Sequence, residues 1–147
     1  MFKHILVPTD GSDFSMGSVK RALAFAKETG AKLTFFFAKP DYPIAFYGEG
    51  ALIDPTTPEK FAEMANQQSQ QILGECEALA KELGVEHATT ATTSDVPYEG
   101  IIAAAEANAC DLIFMASHGR RGIAAMLLGS ETQKVLTHSK IPVLVYR

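Results

Sequence analysis

Only two cysteines occur in this chain, Cys76 and Cys110, far apart, in no Cys-x-x-Cys pair and at no ligand spacing from a histidine. That excludes a disulfide framework and the common thiolate zinc sites. Two buried free thiols are expected instead. No uncharged apolar run approaches the ~18 residues needed to cross a membrane. Positive charge is not in excess: 13 Lys and Arg stand against 17 Asp and Glu, a net charge of −4. Such a balance opposes general binding to nucleic acid, which is driven by phosphate neutralisation, so any anion site must be local. The start, Phe2 to Val7 closed by Pro8-Thr9-Asp10, has only a short apolar run and no small-residue cleavage pattern. It does not resemble a signal peptide, and the expected compartment is the cytoplasm.

What is present fits one domain over residues 1–147, with 47% hydrophobic residues and enough chain for a core without metal or disulfide support. Lys3 to Thr9 reads as a strand. Val19, Ala22, Leu23 and Ala26 fall at helical spacing, giving a helix over about 15–28 with Gly30 as its cap. Lys32 to Ala38, with Leu33, Phe35, Phe36 and Phe37, reads as a strand buried on both faces. The stretch from Lys39 to Thr57 carries Pro40, Pro43, Gly48, Gly50 and Pro55 and is long for a connection, so it reads either as a lid or partner surface or simply as a mobile insertion. Thr57-Pro58-Glu59 starts a second helix whose apolar stripe runs from Phe61 to Leu83. His87 to Thr93 alternates weakly and reads as an edge strand, Pro97 opens a third helix, and Asp111 leads into a fourth strand. Ser130 to His138 makes a short helix, and Ile141 to Tyr146 a closing strand in which Pro142 suits a start or an edge. Alternating strands and helices of this length imply an α/β fold, an open five-stranded, mostly parallel sheet with helices on both faces.

In such sheets ligands bind beyond the carboxyl ends of strands, where neighbouring connections leave to opposite faces. Asp10, Ala38 and Ala116 to Gly119 all stand at strand ends. Ser117-His118-Gly119-Arg120-Arg121-Gly122 is small and basic, and Gly129-Ser130 follows, with Ser130-Glu131-Thr132-Gln133 in the form of a capping box. A strand, a glycine loop and a helix start are the parts of a phosphate site. The loop does not have the Gly-x-x-x-x-Gly-Lys-Ser/Thr form, and no Gly-x-Gly-x-x-Gly follows the first strand. Those two nucleotide signatures are absent.

Pro8-Thr9-Asp10, Asp111-Leu112-Ile113, Ser117-His118-Gly119-Arg120, Gly129-Ser130 and Ile141-Pro142-Val143-Leu144-Val145, in this order and spacing, resemble the universal stress protein family over essentially the whole chain. The resemblance implies a Rossmann-like, adenine-nucleotide alpha hydrolase-like sheet. It also implies a homodimer, a role in the stress response and, in one branch of the family, ATP binding through Gly, two residues, Gly, nine residues, then Gly-Ser or Gly-Thr. Here Gly119, nine residues and Gly129-Ser130 are present, and Ala116 replaces the first glycine. An added methyl is tolerable at negative φ but hinders a very close backbone approach.

Carried over position by position, the resemblance places Pro8, Thr9 and Asp10 in the nucleotide site, with Asp10 on the ribose hydroxyls. The Ala38 backbone is placed on the adenine edge, and Ala116, Gly119, Gly129, Ser130 and the Glu131 backbone around the phosphates. His118 and Arg120 could add charged contacts; an Asx-turn is the simpler role for Asp10, and solvated loop charge the simpler one for Arg120 and Arg121. Mg²⁺ would accompany ATP without an all-protein cage.

Asp13 is the one nearby acid that could serve a hydrolase, and the resemblance implies at most slow turnover, so a nucleotide-responsive binding protein is favoured over an enzyme. A phosphorelay receiver shares the architecture, with Asp10, Asp13 and Asp95 as tempting acids, but it needs a Lys near the end of the fifth strand, and here that strand ends in Tyr146-Arg147 while Lys140 precedes it. The stronger alternative is a dimeric interaction protein that binds no nucleotide. Under either reading the apolar C-terminal strand, Val143 to Val145, is expected to pair with its copy.

Overall fold

The computed structural model describes residues 1–42, 57–119 and 127–147. Five strands form one sheet in the order β3-β2-β1-β4-β5, and every pair is parallel. They are β1 (His4–Pro8), β2 (Lys32–Lys39), β3 (His87–Thr93), β4 (Leu112–Ala116) and β5 (Val143–Tyr146). Between them run α1 (Asp13–Thr29), α2 (Pro58–Leu83), α3 (Pro97–Ala107) and α4 (Ser130–His138). Pro142 precedes β5 and still offers its carbonyl to the Ile113 N–H at 2.9 Å, so the ring costs the sheet no donor it needs.

Strand alternation divides the core. Ile5, Val7, Leu33, Phe35, Phe37, Leu112 and Phe114 face α1 and α2, which bury Val19, Leu23, Ile72, Leu73 and Cys76 against them. Leu6, Phe36, Ile113 and Met115 face the opposite way, onto Ile101, Ala105 and Val135 of α3 and α4. Each large side chain taken fully out of water contributes about 1.5–3 kcal/mol. Both thiols are free and buried, and burial pushes Cys76 up to about 12 and Cys110 up to about 11.

Helix ends follow local chemistry. Ser12 caps α1 by accepting the Ser15 N–H at 3.2 Å, and Thr57 caps α2 by accepting the Lys60 N–H at 3.2 Å. Gly30, at φ 74°, turns the chain out of α1 and donates to the Ala26 carbonyl at 2.8 Å. The amino ends of β1 and β4 are joined by Asp111, whose carboxylate accepts the N–H of Lys3 at 2.9 Å and of His4 at 3.1 Å. Partial burial pushes this carboxyl up, but the backbone donors outweigh it and hold Asp111 below its ordinary value.

The stretch between β2 and α2 left a lid, a partner surface or a plain insertion open from the sequence; its residues 43–56 lie outside the described residues. Its first part is anchored: the Asp41 N–H donates to Asp95 Oδ1 at 3.1 Å, and the Tyr42 ring meets Phe61 edge-on at 5.6 Å. No helix among the described residues is long and apolar enough to cross a membrane.

Candidate functional site

β1 and β4 are neighbours, yet α1 leaves β1 for one face of the sheet and α4 leaves β4 for the other. Their carboxyl ends therefore flank the one crevice that this topology opens for a ligand. Asp10 follows β1 and Ser117-His118-Gly119 follows β4. A Cβ built on Gly119 would stand 2.8 Å from Asp10 Oδ2, so the two loops meet here and any side chain at Gly119 would crowd the Asp10 carboxylate. Asp10 Oδ1 accepts the Ser12 N–H at 2.9 Å, so the Asx-turn expected as its simpler role is present, and the other carboxylate oxygen faces Gly119.

The loop after β4 is pinched shut at its base. The Gly129 N–H donates to the Ser117 carbonyl at 2.7 Å, and a Cβ there would lie 3.1 Å from that same oxygen. The Thr132 hydroxyl, buried, bridges the Ala116 carbonyl at 3.0 Å and the Ser117 carbonyl at 3.2 Å. Gly129 thus acts by being small, and its N–H is spent inside the protein. The capping box expected at Ser130 is not formed: Gly129 is the cap residue, Ser130 is the first helical one, and Gln133 Nε2 donates to the Leu128 carbonyl at 3.1 Å. Physically, a cap must have extended backbone, and Gly129 has φ −68° and ψ 157°. Among the described residues no side chain caps α4, whose first turn follows directly on the Gly129 pinch.

The other expected residues divide. Pro8 ends β1 and is buried; Thr9 is buried too, with its hydroxyl 2.8 Å from Ser15 Oγ and its N–H on the Phe36 carbonyl at 2.9 Å, so it fastens α1 to the sheet. Ala38 lies at the carboxyl end of β2, next to β1, in register with Thr92. Ala116 ends β4 and shares the α1 face with Leu112 and Phe114 by alternation. The only non-glycine with positive φ among the described residues is Ala109, so the Ala116 methyl brings no backbone strain. His118 is buried, its Nδ1 is 2.9 Å from Ser117 Oγ, and its ring lies 5.9 Å from that of Phe14. Glu131 is half-buried in the first turn of α4, but its side chain turns away to α3. Arg120, with Arg121, lies outside the described residues. Phe14 carried no sequence signal, and Ser117 and Thr132 stood only as members of the loop and helix-start motifs; the bonds from the Thr132 hydroxyl to the Ala116 and Ser117 carbonyls are brought in by the fold.

A model of the family described as "Universal stress protein family" matches residues 1–147. The chain belongs to the universal stress protein family. Among universal stress protein relatives, MJ0531 of Methanocaldococcus jannaschii is 32% identical over all of this chain and 83% of its own length. The solved structure of MJ0577, a universal stress protein of the same organism, superposes with a TM-score of 0.76 at 26% identity, covering 99% of this chain and 95% of that one. A universal stress protein crystallised in complex with cAMP superposes with a TM-score of 0.71 at 27% identity, covering 99% and 97%. The α/β sheet read from the sequence is therefore the universal stress protein fold.

Proposed function

We propose that this chain binds an adenine nucleotide, ATP with Mg²⁺, between the carboxyl ends of β1 and β4, and acts in the cytoplasm as a nucleotide-responsive regulator of the stress response. The observation that carries the reading is the meeting of Asp10 Oδ2 with Gly119, which sets a carboxylate beside a residue with no side chain at the topological switch of the sheet. A cradle that a single Cβ would fill fits a ligand that needs close backbone approach. A structural relative in complex with cAMP adds support for the adenine nucleotide class.

In this reading Asp10 takes the ribose hydroxyls, the Ala38 backbone takes the adenine edge, and the amides of Gly119, Ser130 and Glu131 take phosphate oxygens, with His118 and Arg120 adding polar contacts. Gly129 contributes its size. Mg²⁺ would supply charge neutralisation on the phosphates, held mainly by them and by water. Asp13 is exposed on the first turn of α1. Nothing among the described residues orients it as a base, so binding is favoured over turnover.

Calorimetric titration of nucleotide-stripped protein with ATP and Mg²⁺ tests this, beside a Gly119→Asp, Gly129→Asp double variant. Saturable binding that the double variant loses is expected; absence of binding by the unaltered chain, with no nucleotide released on purification, defeats the reading. A second reading, a dimeric interaction protein that binds no nucleotide, draws on β5, an edge strand whose Val143, Leu144 and Val145 stay half-buried. A homodimer through this strand belongs to both readings. A monomeric mass in solution scattering at micromolar concentration would count against it.

A further inference from the structure

The Glu131 side chain leaves the crevice and reaches α3, where Oε2 accepts the Tyr98 N–H at 2.9 Å. Val96, the residue that precedes α3, makes no side-chain cap bond, so a carboxylate from another helix does this work. The other oxygen, Oε1, lies 3.4 Å from Lys134 Nζ one turn along α4. Lys134 Nζ also sits 5.7 Å from the centre of the Tyr98 ring, and the His138 ring lies 5.0 Å from that ring. One face of α4 is therefore fixed on the first turn of α3 through Glu131, Lys134, His138 and Tyr98.

Resting on the nucleotide reading above, we propose that Glu131 is a positioning residue for the phosphate site: it caps α3 from α4, which sets the first turn of α4 and keeps its own charge away from the anion. A carboxylate in the first turn of α4 with no such partner would sit beside the phosphates and repel them. Housed on Tyr98 N–H, it serves the positive end of α3 instead. The direction of a mutational effect separates the two roles. If Glu131 only repels, its removal tightens binding; if it positions α4, its removal weakens binding.

The experiment is ATP titration of the unaltered chain and of Glu131→Ala, Glu131→Gln and Tyr98→Pro, with amide exchange at Tyr98 followed by NMR in all but the last. Glu131→Ala should weaken ATP binding about fivefold, the scale of a lost helix cap, and speed exchange at Tyr98. Glu131→Gln should restore both, because an amide oxygen still accepts the bond. Tyr98→Pro removes the donor from the α3 side, and the ring that meets Lys134 and His138 with it, and should weaken binding at least as much as Glu131→Ala. Unchanged or tighter binding by Glu131→Ala, or Gln weakening as much as Ala, overturns the positioning role alone. Absence of ATP binding by the unaltered chain overturns the nucleotide reading and this role with it.

Discussion

At the amino end of the sheet a side chain stitches strand to strand: the Asp111 carboxylate takes the backbone N–H of Lys3 and His4, and the connections turn tightly through Gly30, Gly84 and Ala109. At the carboxyl end the junctions depend on atoms that are missing. Gly119 leaves room for Asp10, and Gly129 leaves room for the Ser117 carbonyl. A side chain gained strengthens the first end and a side chain withheld shapes the second. The two ends should therefore respond to substitution in different ways, the amino end in stability alone and the carboxyl end in stability and binding together.

The largest effect is expected at Gly129. Gly129→Ala places a methyl 3.1 Å from the Ser117 carbonyl oxygen, a backbone atom with little room to yield, and overpacking of this kind costs about 1–3 kcal/mol. Thermal unfolding should show it as a lower midpoint, and ATP affinity should fall too; a midpoint equal to the unaltered chain would show that the pinch at Ser117 is loose. At the other end Asp111→Ala should cost about 1–2 kcal/mol, the usual loss for charge-assisted bonds to backbone, with ATP affinity intact.

The pH dependence sharpens this. Asp111 is held below its ordinary 3.8, so the unfolded chain binds its proton first, and the contribution present above that value is lost as pH falls through the lowered folded value. Below pH ~4 the stability gap between unaltered and Asp111→Ala protein should therefore narrow. A gap that stays constant would remove the carboxylate from the explanation. The smallest effect, of opposite sign, belongs to a glycine at neither junction: Gly17 lies within α1 and a Cβ there meets nothing within 4 Å. Gly17→Ala should raise stability by about 0.5–1 kcal/mol; a loss would mean that close fit governs this glycine as well.

Much of this was legible in the chain because it is written locally. Thr57-Pro58 opens α2 as read, His87–Thr93 forms an edge strand with those bounds, and the α/β order follows from alternating apolar periods. The misreading at Ser130 is instructive: Ser-x-x-Gln has the form of a cap, but the Ser117 carbonyl draws the Gly129 N–H across and makes the glycine the cap residue. Asp111 read as a strand approach and nothing more, since its partners lie more than a hundred residues earlier. Glu131 read as a backbone donor in a phosphate turn, because sequence gives no direction to a side chain whose partner is Tyr98. Local pattern writes elements, and tertiary contact writes roles.

The central place of β1 has a consequence for how the molecule comes into being. β1 is synthesised before the other four strands of this sheet, and β2 can pair with it early, but β4, its neighbour on the other side, begins only at Leu112. During translation one edge of β1 must wait for about a hundred further residues, and closing so long a loop slows folding. The growing sheet therefore holds an open strand edge until β4 emerges, and the crevice beside Asp10 is among the last parts of this sheet to form.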